Sequence, residues 1–273
     1  MRIANNAMAI NTHRQYSIKN SNEPASTEKL SSGYRINRAG DDAAGLAISE
    51  KMRAQIKGLN MASKNSQDAI SLVQTAEGAL TETHSILQRM RELAVQAASD
   101  TNDDDTDRAA LDVEFKELID EIDDIATKTK FNGTALLDGT FTDKIIQAGA
   151  NTGDELTISI GNMDSETLGV AKDAINILTQ GDASTSIDTV NTAINTVSTQ
   201  RAKLGAYQNR LQHKINNLDT SAENLQAAES RIRDLEMAKE MTSYTKNNIL
   251  VQASTAMLAQ ANAAPQGVLQ LLQ

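Results

Sequence analysis

Residues 187–232 read IDTVNTAINTVSTQRAKLGAYQNRLQHKINNLDTSAENLQAAESRI. Apolar side chains recur along this stretch at alternating steps of three and four, which places them on one face of an α-helix. A helix of this length would extend roughly 70 Å. It cannot bury its apolar face alone, so the stretch predicts other helices packed along it. The positions of the face are Ile187, Val190, Ile194, Val197, Arg201, Leu204, Gln208, Leu211, Ile215, Leu218, Ala222, Leu225, Glu229 and Ile232.

Two earlier stretches carry the same period. Residues 46–100 repeat apolar and small side chains at steps of three and four, which predicts one long helix that partner helices can approach closely. A second helix is predicted over about 107–129, where Leu111, Phe115 and Leu118 share a face. Acidic residues crowd its start, where free amide groups and the helix dipole favour carboxylates. The turn residues Phe131-Asn132-Gly133-Thr134 predict its end.

The period changes between these helices and the 187–232 stretch. Leu156, Ile158 and Ile160 alternate with polar residues, as in a strand that is buried on one face. Ile145-Ile146 form a short apolar run ahead of them, and Asn151-Thr152-Gly153-Asp154 supplies turn residues between the two. We expect a β-hairpin within about 131–186.

The two ends of the chain are amphipathic but almost free of charge. Residues 247–273 contain no charged side chain. Such a surface does not keep an isolated helix in solution, so we expect other copies of the chain to cover it. The helical stripe at the C-terminal end begins at Met237 and Met241, and a similar face begins at the N-terminal end. The candidate self-assembly residues are Ile3, Ala7, Ile10, Met241, Val251, Leu258 and Leu271.

These patterns predict a mainly α-helical protein. We expect a long, coiled-coil-like rod with a small β-hairpin region, and paired N- and C-terminal helices. The expected divisions are an inner terminal domain built from residues 1–43 and 233–273, and a helical rod domain over 44–232.

Composition excludes several functions. The segment 100–124 carries twelve acidic and two basic side chains, an excess equal to the whole net charge of −10. Without clustered Lys and Arg, nucleic-acid binding is not expected. The absence of Cys excludes thiol catalysis and thiolate metal sites. The N-terminus lacks the apolar run of a secretory signal peptide, and the C-terminal run is too rich in Gln and Asn for membrane insertion.

No motif supports catalysis or a bound cofactor. Asp103, Asp105, Asp107 and Glu114 match acidic positions of a calcium loop, but Arg108 replaces its essential glycine. We therefore expect an acidic turn that caps a helix. The three histidines lack zinc-site spacing. Gly40-Asp41-Asp42-Ala43-Ala44-Gly45 is expected to form a turn and an N-cap rather than a carboxylate pair for acid–base chemistry. The protein is not expected to be an enzyme.

Long motifs at both ends resemble those of a known family. LSSGYRINRAGDDAAGLAIS (30–49) closely resembles the N-terminal signature of bacterial flagellins. QRAKLGA (200–206), AESRIRD (228–234) and QASTAMLAQAN (252–262) are similar to the corresponding C-terminal segments. The resemblance covers roughly residues 1–140 and 190–273, and the middle of the chain leaves no room for large outer domains.

The resemblance implies a structural subunit that self-assembles into the bacterial flagellar filament for swimming motility. It implies a secreted, extracellular protein whose partners are its own copies, the flagellar export apparatus, a secretion chaperone, and the filament cap and hook-junction proteins. The segment from Gln88 to Gln96, with Glu114, matches the segment of flagellins that Toll-like receptor 5 recognises. The residues implied for receptor recognition are Gln88, Arg89, Leu93, Gln96 and Glu114.

Pro24 departs from the family pattern. Proline in a helix interior removes an amide donor and costs about 3 kcal/mol, so we expect a kink or break near residue 22. A hook-filament junction protein is the alternative within the same class. A chemoreceptor-like signalling hairpin is a rival from another class, and the predicted β segment argues against it.

Overall fold

The structure is a computed structural model that describes residues 6–101, 103 and 106–271, with side chains described as far as residue 264. Within these residues it contains five α-helices and two small antiparallel sheets, which confirms the mainly α-helical fold class. The helices are α1 (Ala7–Ser32), α2 (Ala43–Ala97), α3 (Asp107–Lys128), α4 (Gln180–Arg233) and α5 (Met237–Leu271). The strands are β1 (Lys130–Phe131), β2 (Thr134–Ala135), β3 (Lys144–Gln147) and β4 (Glu155–Ile158).

The chain forms two compact units. The first contains the residues up to Ile56 together with those from Glu223 onward. The second is Lys57–Ala222. In the first unit α1 and α5 pack against each other, so the predicted pairing of the terminal helices is confirmed.

The core of the second unit is built from the predicted apolar faces of the helices. Buried positions on α2 recur at steps of three and four from Ala69 to Ala97, and those on α4 include Val190, Val197, Leu204 and Leu211. Phe115, Ile119 and Ile122 of α3 complete the same cluster. Each helix therefore buries its apolar face against the other two.

Two polar contacts fix the register of α2 against α4 in this unit. Ser63 Oγ donates to Asp219 Oδ1 at 2.9 Å, and Gln208 Nε2 donates to Glu77 Oε2 at 2.9 Å. The residue number rises along α2 as it falls along α4, so the two helices run antiparallel. Helix α4 also begins earlier than its apolar stripe predicts, because the Thr179 hydroxyl accepts from the Asp182 amide at 3.2 Å.

The predicted β-hairpin is present. Strands β3 and β4 pair antiparallel with Ile146 opposite Leu156, and the turn between them contains Gly153 at φ +92°. Leu156 and Ile158 are buried while the residues between them are exposed, as the alternation predicts. Gly58 of α2 allows the hairpin turn to approach closely, since a Cβ there would lie 2.9 Å from the Ala150 Cβ.

A second, shorter hairpin was not predicted. Strands β1 and β2 pair across Asn132 and Gly133, which have φ angles of +49° and +80°. Positive φ at both central residues is typical of a type I′ turn, for which Asn-Gly is the preferred pair. The Asn-Gly pair could therefore have predicted a hairpin as well as the end of α3.

The acidic residues of α3 are not all solvated surface charges. Asp112 is buried, and its Oδ2 lies 2.6 Å from Lys116 Nζ. The carboxylate of Asp123 accepts from both the amide and the hydroxyl of Ser165 at 2.8 Å. Asp120 forms an ion pair with Lys172. These carboxylates fasten the connection that precedes α4 onto α3.

Of the predicted kink or break near residue 22, the break is wrong. Helix α1 runs through Pro24 from Ala7 to Ser32. The proline still lacks an amide donor, but α1 packs along α5, and packing of a helix against a partner outweighs a local loss of propensity.

Arg108 fixes the turn between α2 and α3. The residue is 4% exposed, and its Nε and Nη2 donate to the carbonyl oxygens of Ala97 and Ser99 at 2.7 and 2.9 Å. A cation bound to the last carbonyls of a helix also suits the negative end of the helix dipole. The residue that disqualifies a calcium loop is thus a structural element of the turn.

We predict that Arg108→Ala lowers the free energy of unfolding by roughly 2–4 kcal/mol, because two buried carbonyl groups lose a charged donor. Urea unfolding followed by circular dichroism measures the change. Arg210→Ala removes an exposed arginine and serves as the control, with an expected change within about 0.5 kcal/mol. Equal stability of the two variants would contradict the assigned role.

Candidate assembly surface and recognition segment

The face of α1 that packs on α5 is largely polar, whereas the covered positions of α5 are mixed and include Leu250, Val251 and Leu258. The α1 positions that are covered recur at steps of three and four, as expected for a helix packed on one partner. Most of them carry polar side chains. They are Ala9, Thr12, Tyr16, Lys19, Glu23, Ser26 and Leu30. Few side-chain hydrogen bonds join the pair; Asn6 Nδ2 donates to the Ala261 carbonyl at 2.7 Å, and Asn248 Nδ2 donates to Glu23 Oε1 at 3.4 Å.

The outer face of the pair carries exposed apolar side chains among polar ones. Seven large apolar side chains on α1 and α5 are between 47% and 67% exposed. These residues are Met8, Ile10, Ile18, Met237, Met241, Ile249 and Met257.

The structure separates the predicted self-assembly residues into two groups. Ala7, Ile10 and Met241 are exposed, whereas Val251 and Leu258 are half-buried within the pair. Ile3 and the side chain of Leu271 lie outside the described residues. Sequence reasoning missed Met8, Ile18, Ile249 and Met257, which do not fall on the stripes that it followed.

The N-terminal signature motif joins the two connections of the first unit. The Arg35 amide donates to the Arg233 carbonyl at 2.7 Å, and the Leu235 amide donates to the Gly33 carbonyl at 2.9 Å. The Tyr34 ring lies 4.9 Å from the Arg233 guanidinium and 5.9 Å from that of Arg53, within the range of cation–π contacts.

The predicted turn and N-cap before α2 are present. Asp41 Oδ2 accepts from the amides of Asn37 and Arg38 at 3.0 Å, and Asp42 Oδ1 accepts from the Gly45 amide at 2.8 Å. Gly45 is required here, because a Cβ would lie 2.4 Å from Asp42 Oδ2. Both carboxylates hold backbone amides, which leaves no pair arranged for acid–base chemistry.

In the second unit, Arg89 and Glu114 link α2 to α3 at the surface. Arg89 Nε and Nη2 each lie 2.9 Å from Glu114 Oε1, and Arg89 Nη1 lies 3.2 Å from Glu92 Oε2. The hydrogen bond to Glu114 raises the pKa of Arg89, with a further contribution from Glu92. The ion pair is exposed, so its contribution is to orient the side chains more than to stabilise the fold.

The other residues implied for receptor recognition lie on two faces of α2. Gln88 and Gln96 are exposed and line an open groove together with Val95. Leu93 is fully buried in the core. Val95 and Val113 are 53% and 63% exposed, and neither is among the residues that the resemblance implies for receptor recognition.

Comparison with known families matches both ends of the chain. Residues 3–142 match the bacterial flagellin N-terminal helical region, and residues 187–272 match the bacterial flagellin C-terminal helical region. The chain belongs to the bacterial flagellin family. It is therefore a structural subunit of the flagellar filament.

This chain is similar to individual flagellins along its whole length and theirs. The chain is 55% identical to flagellin from Bacillus subtilis (strain 168) and 56% identical to flagellin from Halalkalibacterium halodurans, with 100% of each chain covered. The 31.3 kDa flagellar filament core protein of Treponema maltophilum is 46% identical, again over both full chains.

Solved structures agree with this family. The crystal structure of Bacillus cereus flagellin is 40% identical, with a TM-score of 0.51 over 61% of this chain and 94% of that one. A putative flagellar hook-associated protein from Vibrio parahaemolyticus has a TM-score of 0.58 over 71% of this chain and 100% of that one. It is only 15% identical, so it shows a shared fold alone.

The described part of the flagellin chain contains neither a membrane-spanning helix nor a metal-binding cluster. None of its helices has the length and apolar character needed to cross a membrane. No group of three or more His, Cys, Asp or Glu side chains is arranged there to hold a metal ion.

We predict that Asp41 stabilises the first unit in a pH-dependent way. The amides of Arg38 and Asn37 lower the pKa of Asp41 below its ordinary 3.8. Its contribution is therefore complete above pH 3.8 and is lost as the pH falls through the lowered pKa of the folded state. Thermal unfolding of the native chain and of Asp41→Asn should differ at neutral pH and converge in acid. A constant difference at every pH would contradict the prediction.

Proposed function

We propose that this flagellin polymerises by burying the outer face of α1 and α5 against other copies of itself. The exposed apolar side chains of that face carry the proposal, with Ile10, Met241 and Ile249 among them. Together with the predicted Ile3, Ala7, Val251, Leu258 and Leu271, they form the assembly surface. The inner domain in this proposal comprises residues 1–43 and 233–273, and the rod domain comprises 44–232.

The energetics favour assembly over an ordered free pair. Fixing a residue in a helix costs on the order of 1–2 kcal/mol of conformational entropy. Burial of apolar surface returns about 25 cal/mol per Å². The mixed inner face of the pair provides part of this burial, and the exposed isoleucines and methionines provide more only when another copy covers them.

Growth of the filament follows from contacts between different faces of successive copies. Contacts of this kind do not close on themselves and therefore repeat helically. Copies add outside the cell after passage through the flagellar export apparatus with a secretion chaperone, and the polymer meets the cap and hook-junction proteins at its ends. No catalytic step and no cofactor is needed. The family resemblance supports these partners and this location.

A hook-filament junction protein is the second candidate, because the fold is shared with a putative hook-associated protein. Full-length identities of 55% and 56% to flagellins favour the filament subunit. Negative-stain electron microscopy distinguishes the two, since long filaments indicate flagellin and short rings indicate a junction protein.

We also propose that Toll-like receptor 5 recognises the exposed surface around Arg89. The ion pair with Glu114 holds the guanidinium in place between α2 and α3, and Gln88 and Gln96 lie on the same exposed part of α2. Leu93 is buried, so its part in recognition is to hold α2 against the core.

The assembly proposal predicts that Ile249→Ser raises the critical concentration for polymerisation roughly tenfold or more. Burying an isoleucine contributes about 1.5–3 kcal/mol, and 1.4 kcal/mol corresponds to a tenfold change in affinity. Sedimentation of the polymer measures the free monomer that remains. Ile249→Leu, which keeps the apolar area, is the control. A Ser variant that assembles like the native chain would contradict the proposal.

The recognition proposal predicts that Arg89→Ala lowers the potency of the monomer on receptor reporter cells by about tenfold, the size expected of a central interface residue. Arg210→Ala is the control, because it removes an exposed arginine elsewhere. Unchanged potency of the Arg89 variant would count against recognition through this surface.

A further inference from the structure

One edge of the interface between α2 and α4 is basic. The Glu77–Gln208 hydrogen bond marks this edge. Seven residues later on α2 is His84, and seven residues earlier on α4 is Arg201. A heptad step returns a packed helix to the same face, and the helices are antiparallel, so His84 and Arg201 face each other across the same edge. One further heptad along α2 is Arg91. We call His84, Arg91 and Arg201 the basic seam.

The two arginines of the basic seam lack carboxylate partners among the described residues. Neither Arg91 nor Arg201 forms an ion pair with any acidic side chain in that part of the chain. The Nε of Arg201 and the Nδ1 of His84 are buried and have no hydrogen-bond partner there. A half-buried guanidinium without an acceptor is costly, and a protein normally provides one.

An acidic surface, opposite in charge to the arginines of the basic seam, lies on α3. Glu117 and Glu121 are four residues apart, so they share one face of the helix, and both are exposed. Neither carboxylate takes part in a described ion pair, unlike Asp112, Asp120 and Asp124. The charge of Glu117 also acts on Lys172, whose ion-pair partner is Asp120. We call Glu117 and Glu121 the acidic face.

The basic seam and the acidic face lie on different sides of the second unit. Arg89 of α2 reaches Glu114 of α3 at 2.9 Å, so its side of α2 faces α3. Arg91 is two residues further along, which rotates it by about 200° and points it away from α3. Two complementary surfaces on different sides of one chain fit a contact that repeats from copy to copy.

We propose that the basic seam of one copy binds the acidic face of the next copy in the polymer. The proposal rests on polymerisation of the chain and adds a second contact to that of the terminal helices. Carboxylates of Glu117 and Glu121 supply the acceptors that Arg91 and Arg201 lack among the described residues of their own chain. Charge complementarity of this kind selects the register and the partner at an interface.

The test is an exchange of charge between the two surfaces. Arg91→Glu with Arg201→Glu, and separately Glu117→Lys with Glu121→Lys, should each raise the critical concentration for polymerisation about tenfold at low salt. The four substitutions combined restore the net charge of −10 and should restore assembly to within about threefold of the native chain. Circular dichroism of the monomers checks that each variant folds.

Lys203→Glu with Arg210→Glu is the matched control. Both residues are exposed on α4. Lys203 lies two residues after Arg201, and Arg210 lies two residues after Gln208. The change in net charge equals that of the Arg91→Glu, Arg201→Glu variant. We expect near-native assembly of this control. Native assembly of either single-surface variant, failure of the combined variant to recover, or an equal loss in the control would overturn the contact. Filament formation by the native chain would still support the assembly function in each of those cases.

Discussion

An amphipathic helix is stable in water only when its apolar face is covered, and the two units meet this constraint differently. In the second unit α2, α3 and α4 cover one another, and the core from Leu80 to Leu211 is closed to solvent. In the first unit α1 and α5 meet through a mixture of polar and apolar side chains and expose isoleucines and methionines. One unit is complete within the chain, and the other needs further copies of it.

Charge is distributed in agreement with this division. Residues 247–273 carry no charged side chain, and the acidic surplus lies in the turn before α3 and in α3 itself. Part of that surplus is structural, because Asp112 and Asp123 hold the connection that leads into α4. Glu117 and Glu121 remain available at the surface. The net charge of −10 therefore combines carboxylates that organise the fold with others that can face a neighbouring copy.

Periodicity in the sequence predicted the helices and the longer hairpin well, because burial on one face imposes a period of 3.6 or 2 on the residues. It could not predict the role of Arg108, since nothing in the spacing shows that its side chain reaches back to the carbonyls of α2. It also misjudged Pro24, where packing along the partner helix overrides the local cost. For the assembly surface, an apolar stripe predicts burial but does not tell whether the partner is the other terminal helix or another chain. Val251 and Met241 lie on one predicted stripe, yet only Met241 is exposed.

In the proposed assembly, the terminal helices gain their stability from other copies of the chain. Hydrogen–deuterium exchange of monomer and polymer tests it directly, with the α2 amides of residues 62–94 as an internal reference. The account predicts fast exchange of α1 and α5 in the monomer and protection close to that of α2 in the polymer. Protection of α1 and α5 at the level of α2 in the monomer would contradict it.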